Sequence, residues 1–157
     1  MSGTLAPRSG TPRTAAMDIR RITPRYAVSP QIRPDDVPAL KEAGFVRVIC
    51  NRPDSEVAGE ERAEAIAAAC ADHGLDFVTL PVDHASLTPD LVARQREAIE
   101  DATGPVFAYC RSGTRCTHVW ALGQAGRMPV EEIVAAGGRA GYDLTTLRPA
   151  LEATPRG

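Results

Sequence analysis

Residues 105–115, PVFAYCRSGTR, limit what this chain can fold into more than any other stretch. Val106-Phe107-Ala108-Tyr109 is a short apolar run rich in β-formers, set off upstream by Thr103-Gly104-Pro105, which is the pattern of a buried strand. Cys110 stands where the run ends, Arg111-Ser112-Gly113-Thr114-Arg115 follows, and a helical pattern starts near Cys116. A cysteine is therefore expected at the carboxyl end of a strand, in a tight loop over a helix N-terminus. Backbone N–H groups at such a terminus are unpaired and carry partial positive charge. A loop curling over them forms a nest of donors for an anion, and a thiol there should have a lowered pKa. Arg111 and Arg115 add permanent charge suited to gripping an oxyanion. Gly113 admits a backbone conformation that other residues resist. A lone cysteine is usually a small core residue; the order strand, Cys, Gly, Arg, helix favours chemistry.

The flanking sequence alternates strand and helix patterns. Extended segments are expected at 17–22 and 26–28, around Pro24, and strands at 45–50 and 75–82. A helix opening at Pro34 puts Val37, Leu40 and Ala43 on one face and ends at Gly44. Others are expected over 61–72, closed by His73-Gly74; from a Thr88 cap and Pro89 to about residue 101; over 116–127; over 129–136, closed by Gly137-Gly138; and over 144–152. Cys70 falls on a core face, His73 at a helix end and His118 on a helix surface. This alternation predicts an α/β fold of three layers, a mainly parallel central sheet flanked by helices. A chain of 157 residues suits one core. Residues 1–16, acid-free and dominated by Ser, Thr, Gly, Pro and Arg, read as a disordered tail, with Met17 a plausible start. The domain then covers 17–152, and 153–157 form a second tail.

A net charge of -2 gives no nucleic-acid footprint and no polybasic membrane patch. No apolar run approaches a transmembrane span. Cys50, Cys70, Cys110 and Cys116 make no C-x-x-C or zinc pattern, and His73, His84 and His118 make no ligand cluster. Neither metal nor cofactor is expected. Without a secretory signal, a reducing cytoplasm with free thiols is the expectation. Nothing in the sequence indicates an oligomeric state.

With these elements placed, the chain resembles the beta-lactamase-hydrolase-like, phosphatase-like domain family, which has the dual-specificity phosphatase fold. The resemblance covers roughly residues 17–151. It rests on Val48-Ile49-Cys50-Asn51-Arg52-Pro53-Asp54, on Tyr109-Cys110-Arg111-Ser112-Gly113-Thr114-Arg115, on Trp120-Ala121-Leu122 and on Gly141-Tyr142-Asp143-Leu144. Members are often fused to a metallo-β-lactamase-type hydrolase, for whose metal site three scattered histidines do not suffice. Cysteine-dependent phosphatases separate Cys and Arg by five residues. Here four lie between Cys110 and Arg115, and Cys116 takes the next place. A Cys-Arg-Ser-Gly-x-Arg loop is similar instead to that of rhodanese-type sulfurtransferases, which hold a persulfide inside a six-residue ring of donors.

The leading expectation is sulfur transfer. Cys110 takes a sulfane sulfur from a small-molecule donor, the ring of Arg111, Ser112, Gly113, Thr114 and Arg115 steadies the anion, and a thiol acceptor removes it. The alternative is phosphate hydrolysis of a phosphorylated substrate. Cys110 then forms a phosphocysteine, Arg115 clamps the oxygens, and Asp83, from the Asp83-His84 loop, serves as general acid. A third reading is a non-catalytic anion- or redox-sensing module. Cys50, at a neighbouring strand end, is a possible resolving thiol, with a plain buried strand residue the stronger reading. Asn51, Arg52 and Asp54 are expected at the pocket rim, with Arg52 binding substrate or bracing the loop through Asp54. Tyr142 and Asp143 are expected to cap a helix and take no catalytic part.

Overall fold

A computed structural model of the chain describes residues 17–83 and 87–154. The tail expected over 1–16, residues 155–157 of the one expected over 153–157, and His84 lie outside the described residues, and Ala153 still belongs to the last helix. Among the described residues five strands form one sheet: β1 (Arg20–Thr23), β2 (Tyr26–Ser29), β3 (Arg47–Cys50), β4 (Asp76–Thr79) and β5 (Val106–Tyr109), in the spatial order β1-β2-β5-β3-β4. The β1–β2 pair is antiparallel; the β2–β5, β5–β3 and β3–β4 pairs are parallel. The carboxyl ends of β2, β3, β4 and β5 therefore share one edge of the sheet. The last strand in chain order, β5, is central, and its four residues are fully buried. A two-sided burial of that kind requires an unbroken apolar run rather than an alternating one.

Among the described residues six α-helices cover the sheet: α1 (Val37–Glu42), α2 (Ala63–Asp72), α3 (Pro89–Glu100), α4 (Thr114–Gln124), α5 (Val130–Arg139) and α6 (Arg148–Ala153). Strand side chains alternate between two cores. Val106, Ala108 and Cys110 join Tyr26, Val28 and Ile49 under α3, α4, α5 and α6. Phe107 and Tyr109 join Val48 and Cys50 under α1 and α2, with Cys70 buried in the same layer. The expected three-layer, mainly parallel α/β architecture is the one found.

Local departures have physical reasons. Of the strand expected over 75–82, regular ladder pairing covers Asp76–Thr79; beyond it the Leu80 and Val82 N–H groups still donate to Cys50 O and Asn51 O, and both side chains fill the core. Thr88 does cap α3, its Oγ1 accepting from the Leu91 N–H at 3.2 Å. The helix at the cysteine loop begins at Thr114, two residues before Cys116. Gly137 and Gly138 do not close α5; the helix continues through both to Arg139, and the chain turns at Gly141, φ +95°. Gly137 is small because Leu144 crosses against it: a Cβ there would lie 2.6 Å from Leu144 Cγ.

That contact fixes the sign of a substitution. Alanine in a helix interior is normally better than glycine by about 1 kcal/mol, but overpacking costs about 1–3 kcal/mol. Gly137→Ala is expected to lower stability, read as a reduced urea midpoint with an unchanged slope. A raised midpoint would show that Leu144 yields freely.

Candidate active site

β5 delivers Cys110 to the carboxyl edge of the sheet, fully buried. The chain then bends through Gly113, whose φ of +90° lies in the left-handed region and which is the N-cap of α4. The bend turns donors inward. The Gly113 N–H donates to Cys110 Sγ at 3.1 Å, and the Cys116 thiol and the Cys116 and Ser112 N–H groups lie near enough to the sulfur to act on its ionisation. The Cys116 thiol foremost, then these backbone bonds, lower Cys110 to about 5 against the upward push of burial. At neutral pH the nucleophilic thiolate dominates. Cys116 is driven well above its ordinary value, by burial first and by the Cys110 sulfur second. It stays protonated and acts as a donor.

The ring is braced from outside. Ser112 Oγ donates to Thr114 Oγ1 at 2.9 Å and accepts from the Thr114 N–H at 3.3 Å. Thr117 Oγ1 donates to Gly113 O at 2.9 Å. Tyr142 Oη donates to Ser112 O at 3.0 Å and lies so close over Gly113 that any Cβ there would collide with it. Tyr142 is thus a support for the ring, not merely a helix cap. Asp143 accepts from the Thr145 N–H at 2.9 Å, although the N-cap of the turn that follows is Leu144.

Arg115 points along α4 into an adjoining cavity. Its guanidinium grips Glu56 with two parallel bonds, 3.0 and 2.7 Å, and donates to Val82 O at 2.9 Å. Arg115 first, then Arg52, hold the Glu56 carboxyl below its ordinary range. Arg52 reaches Glu56 Oε1 at 3.1 Å, Glu56 O at 3.2 Å and Gln31 Oε1 at 3.1 Å. The partner expected for Arg52, Asp54, is used elsewhere: it accepts from the Ala63 N–H at 2.8 Å, at the start of α2. Glu56 was missed from the sequence. Its one signal is a place four residues after Arg52, on the loop leaving the same strand edge.

The cavity, about 430 Å³, is lined by Glu56, Val82, Asp83, Leu87, Arg115 and His118. His118, expected on the helix surface, is half-buried and faces it. Desolvation lowers its pKa, and the nearby Cys110 charge opposes that. Asp83 stands exposed on the wall, within the loop where an acid was sought. Arg111 is exposed, with no hydrogen-bond partner for its guanidinium among the described residues. Asn51, expected at the rim, is fully buried beneath it. Cys50 aligns with Tyr109 rather than with Cys110, so alternation puts it in the opposite core layer, its thiol donating to Arg52 O at 3.3 Å. The thiol at the Cys110 sulfur is that of Cys116. Among the described residues no group of three or more His, Cys, Asp or Glu side chains is placed to hold a metal ion, and no helix is long and apolar enough to cross a membrane.

Residues 18–127 match the family model described as beta-lactamase hydrolase-like protein, phosphatase-like domain. A beta-lactamase hydrolase-like protein of Agrobacterium fabrum is 32% identical over 126 residues, 79% of this chain and 29% of its own length. The chain spans about a third of the curated relatives it matches. A crystal structure described as a candidate phosphatase of Neisseria meningitidis is 32% identical, with a TM-score of 0.77 over 88% of this chain and 99% of that one. Tk-PTP in its active form, 15% identical, shares the fold with a TM-score of 0.64 over 88% and 96% of the two chains.

Alkylation of native protein by iodoacetamide should follow a single Cys110-dependent titration with a midpoint near 5, lost in Cys110→Ser. A hydrogen bond to a charged group is worth about 1.5–3 kcal/mol, or roughly one to two pH units. Cys116→Ala should raise the midpoint by about that much and Cys116→Ser by less. An unmoved midpoint in Cys116→Ala would assign the shift to the backbone alone. The linkage has a definite sign. The folded value lies below the ordinary 9.0, so the bonded thiolate stabilises the fold fully above about pH 9, and that contribution is lost as pH falls to about 5.

Proposed function

The chain belongs to the beta-lactamase hydrolase-like protein, phosphatase-like domain family, and we propose that it is a cysteine-dependent phosphatase in which Cys110 is the nucleophile. The observation that carries this reading is the buried thiolate beside an arginine-lined cavity that also holds a carboxylic acid. The family match and the Neisseria structure weight phosphate ester hydrolysis above the sulfur transfer expected from loop spacing.

The chemistry runs in two steps. The Cys110 thiolate attacks phosphorus, the S–P bond forms and the ester P–O bond breaks. Asp83 gives its proton to the departing oxygen. Water then attacks the phosphocysteine while the Asp83 carboxylate takes a proton, the S–P bond breaks, and phosphate and thiolate are released. N–H groups of the 111–115 ring and the Arg115 guanidinium hold the equatorial oxygens. Glu56 keeps Arg115 extended into the cavity, so the missing residue between Cys110 and Arg115 does not turn the guanidinium away. Arg111, exposed beside the ring, meets a negative group on the substrate in this reading. The substrate is a phosphorylated molecule met in solution, with the cytoplasm the compartment suited to a free thiolate.

A second reading, sulfur transfer, is favoured by one observation: the four-residue gap gives a ring small enough for a single terminal sulfur.

A paired assay separates the two. Phosphate release from an aryl phosphate is expected to vanish in Cys110→Ser. It should fall by about 10²–10³ in Arg115→Ala, the usual loss for one oxyanion donor, and by about 10²–10⁴ in Asp83→Asn with a poor leaving group. The acid limb of kcat/KM should lie near 5, where Cys110 titrates. Cys110-dependent thiocyanate formation from thiosulfate and cyanide, with no phosphate release, would replace hydrolysis by sulfur transfer.

A further inference from the structure

Beneath the cavity floor lies a buried amide pair that the chemistry above does not use. Gln95 of α3 and Asn51, just beyond β3, are both fully buried. They exchange two hydrogen bonds: Asn51 Nδ2 donates to Gln95 Oε1 at 2.9 Å, and Gln95 Nε2 donates to Asn51 Oδ1 at 3.0 Å. Neither amide stops there. Gln95 Nε2 also donates to Tyr26 Oη at 3.0 Å, and Tyr26 Oη donates to the Cys116 carbonyl at 2.8 Å. On the other side Asn51 Nδ2 donates to Leu80 O at 2.8 Å, and the Val82 N–H donates to Asn51 O at 2.8 Å. The Asn51 N–H donates to the carbonyl of Tyr109, the residue before the nucleophile, at 2.9 Å.

These bonds close on themselves. Val82 O accepts from Arg115, and Arg115 precedes Cys116 in the chain. The path runs from Arg115 to Val82, Asn51, Gln95, Tyr26 and Cys116, and back to Arg115. The side chains of Asn51, Gln95 and Tyr26 are fully buried, so their polar atoms are costly to leave unpaired. Two bulky amides and a buried hydroxyl in an otherwise apolar layer are more expensive to place than leucines. What they achieve is a fixed distance between the first turn of α4 and the 80–83 loop. An apolar contact could slide; a reciprocal amide pair cannot.

We propose that Gln95, with Asn51 and Tyr26, is a positioning residue of the anion site. The closed circuit sets the Val82 carbonyl against Arg115, and so fixes where the guanidinium meets a bound oxyanion. It meets Cys116 only at the carbonyl, and not at the thiol or N–H that act on the sulfur. Its loss is therefore expected to weaken anion binding while leaving the ionisation of Cys110 unchanged. The inference rests on the reading of the 111–115 ring as an oxyanion site.

The test is protection of Cys110 from iodoacetamide by inorganic phosphate, measured on the whole chain without any turnover. Gln95→Met keeps the volume and removes both amide functions. It should weaken phosphate protection about five- to thirty-fold, with the alkylation midpoint within a few tenths of the parent's. Tyr26→Phe, which removes a single oxygen, should shift protection in the same direction by less and serves if Gln95→Met does not fold. Phosphate protection equal to the parent's in the folded variants would overturn the proposal. So would a loss matched by a rise in the midpoint, because the pair would then be acting through the sulfur's own donors. If sulfite but not phosphate protects the parent, the phosphatase reading falls and the circuit is scored on sulfite by the same criteria. If neither protects, both fall.

Discussion

A single negative charge, on a sulfur with no exposure to solvent, organises this molecule. Burying an anion is unfavourable unless donors replace the lost water, and the chain meets that cost with backbone N–H groups turned inward at the start of α4 and with the thiol of Cys116. Those donors converge only because Gly113 takes a left-handed conformation. Gly113 is held in turn by Tyr142 above it and by Thr117 from the helix below. The parallel sheet contributes the other half of the geometry. β5 is buried on both sides, so the residue after it emerges at a fixed height between the ends of β2 and β3.

The second layer of the site is ionic and half-exposed. Arg115 is not aimed by its own short tether to Cys110 but by Glu56 and the Val82 carbonyl, which lie on two different loops. Arg52 braces Glu56 from behind. Exposed ion pairs contribute little to stability. The value of this cluster is orientation: a fork-shaped guanidinium bound bidentately has one direction in which its remaining donors can face. The carboxylate partner also keeps the cavity from carrying uncompensated positive charge when no anion is bound.

Cys110 and its loop were legible in the sequence because strand, turn and helix follow one another without interruption there. An apolar run, a cysteine, a glycine and a helical period are all local signals, and the parallel sheet followed from their alternation with the patterns before them. Helix ends read from glycine were less secure. Gly137 and Gly138 looked like a stop, yet they lie inside α5 because Leu144, from a later segment, needs the space a side chain would fill. Tyr142 looked like a helix cap and proved to support the ring from thirty residues away. His118 looked superficial and lines the cavity, because α4 turns that face toward the 80–83 loop. Cys50 was placed near the right edge of the sheet, but alternation along β3 sends its side chain to the other layer.

The sequence by itself determined the cysteine at the strand end, the tight loop that follows it, and the sheet edge on which both sit, since each depends on residues adjacent in the chain. Only the tertiary structure decided which acid holds Arg115, which thiol lies against Cys110, and how Asn51, Gln95 and Tyr26 join three separate elements. Those choices are made between side chains brought together by crossover connections. Their pairing depends on the register of neighbouring strands and the rotation of helices on the sheet, and neither quantity leaves a periodic trace in the order of residues.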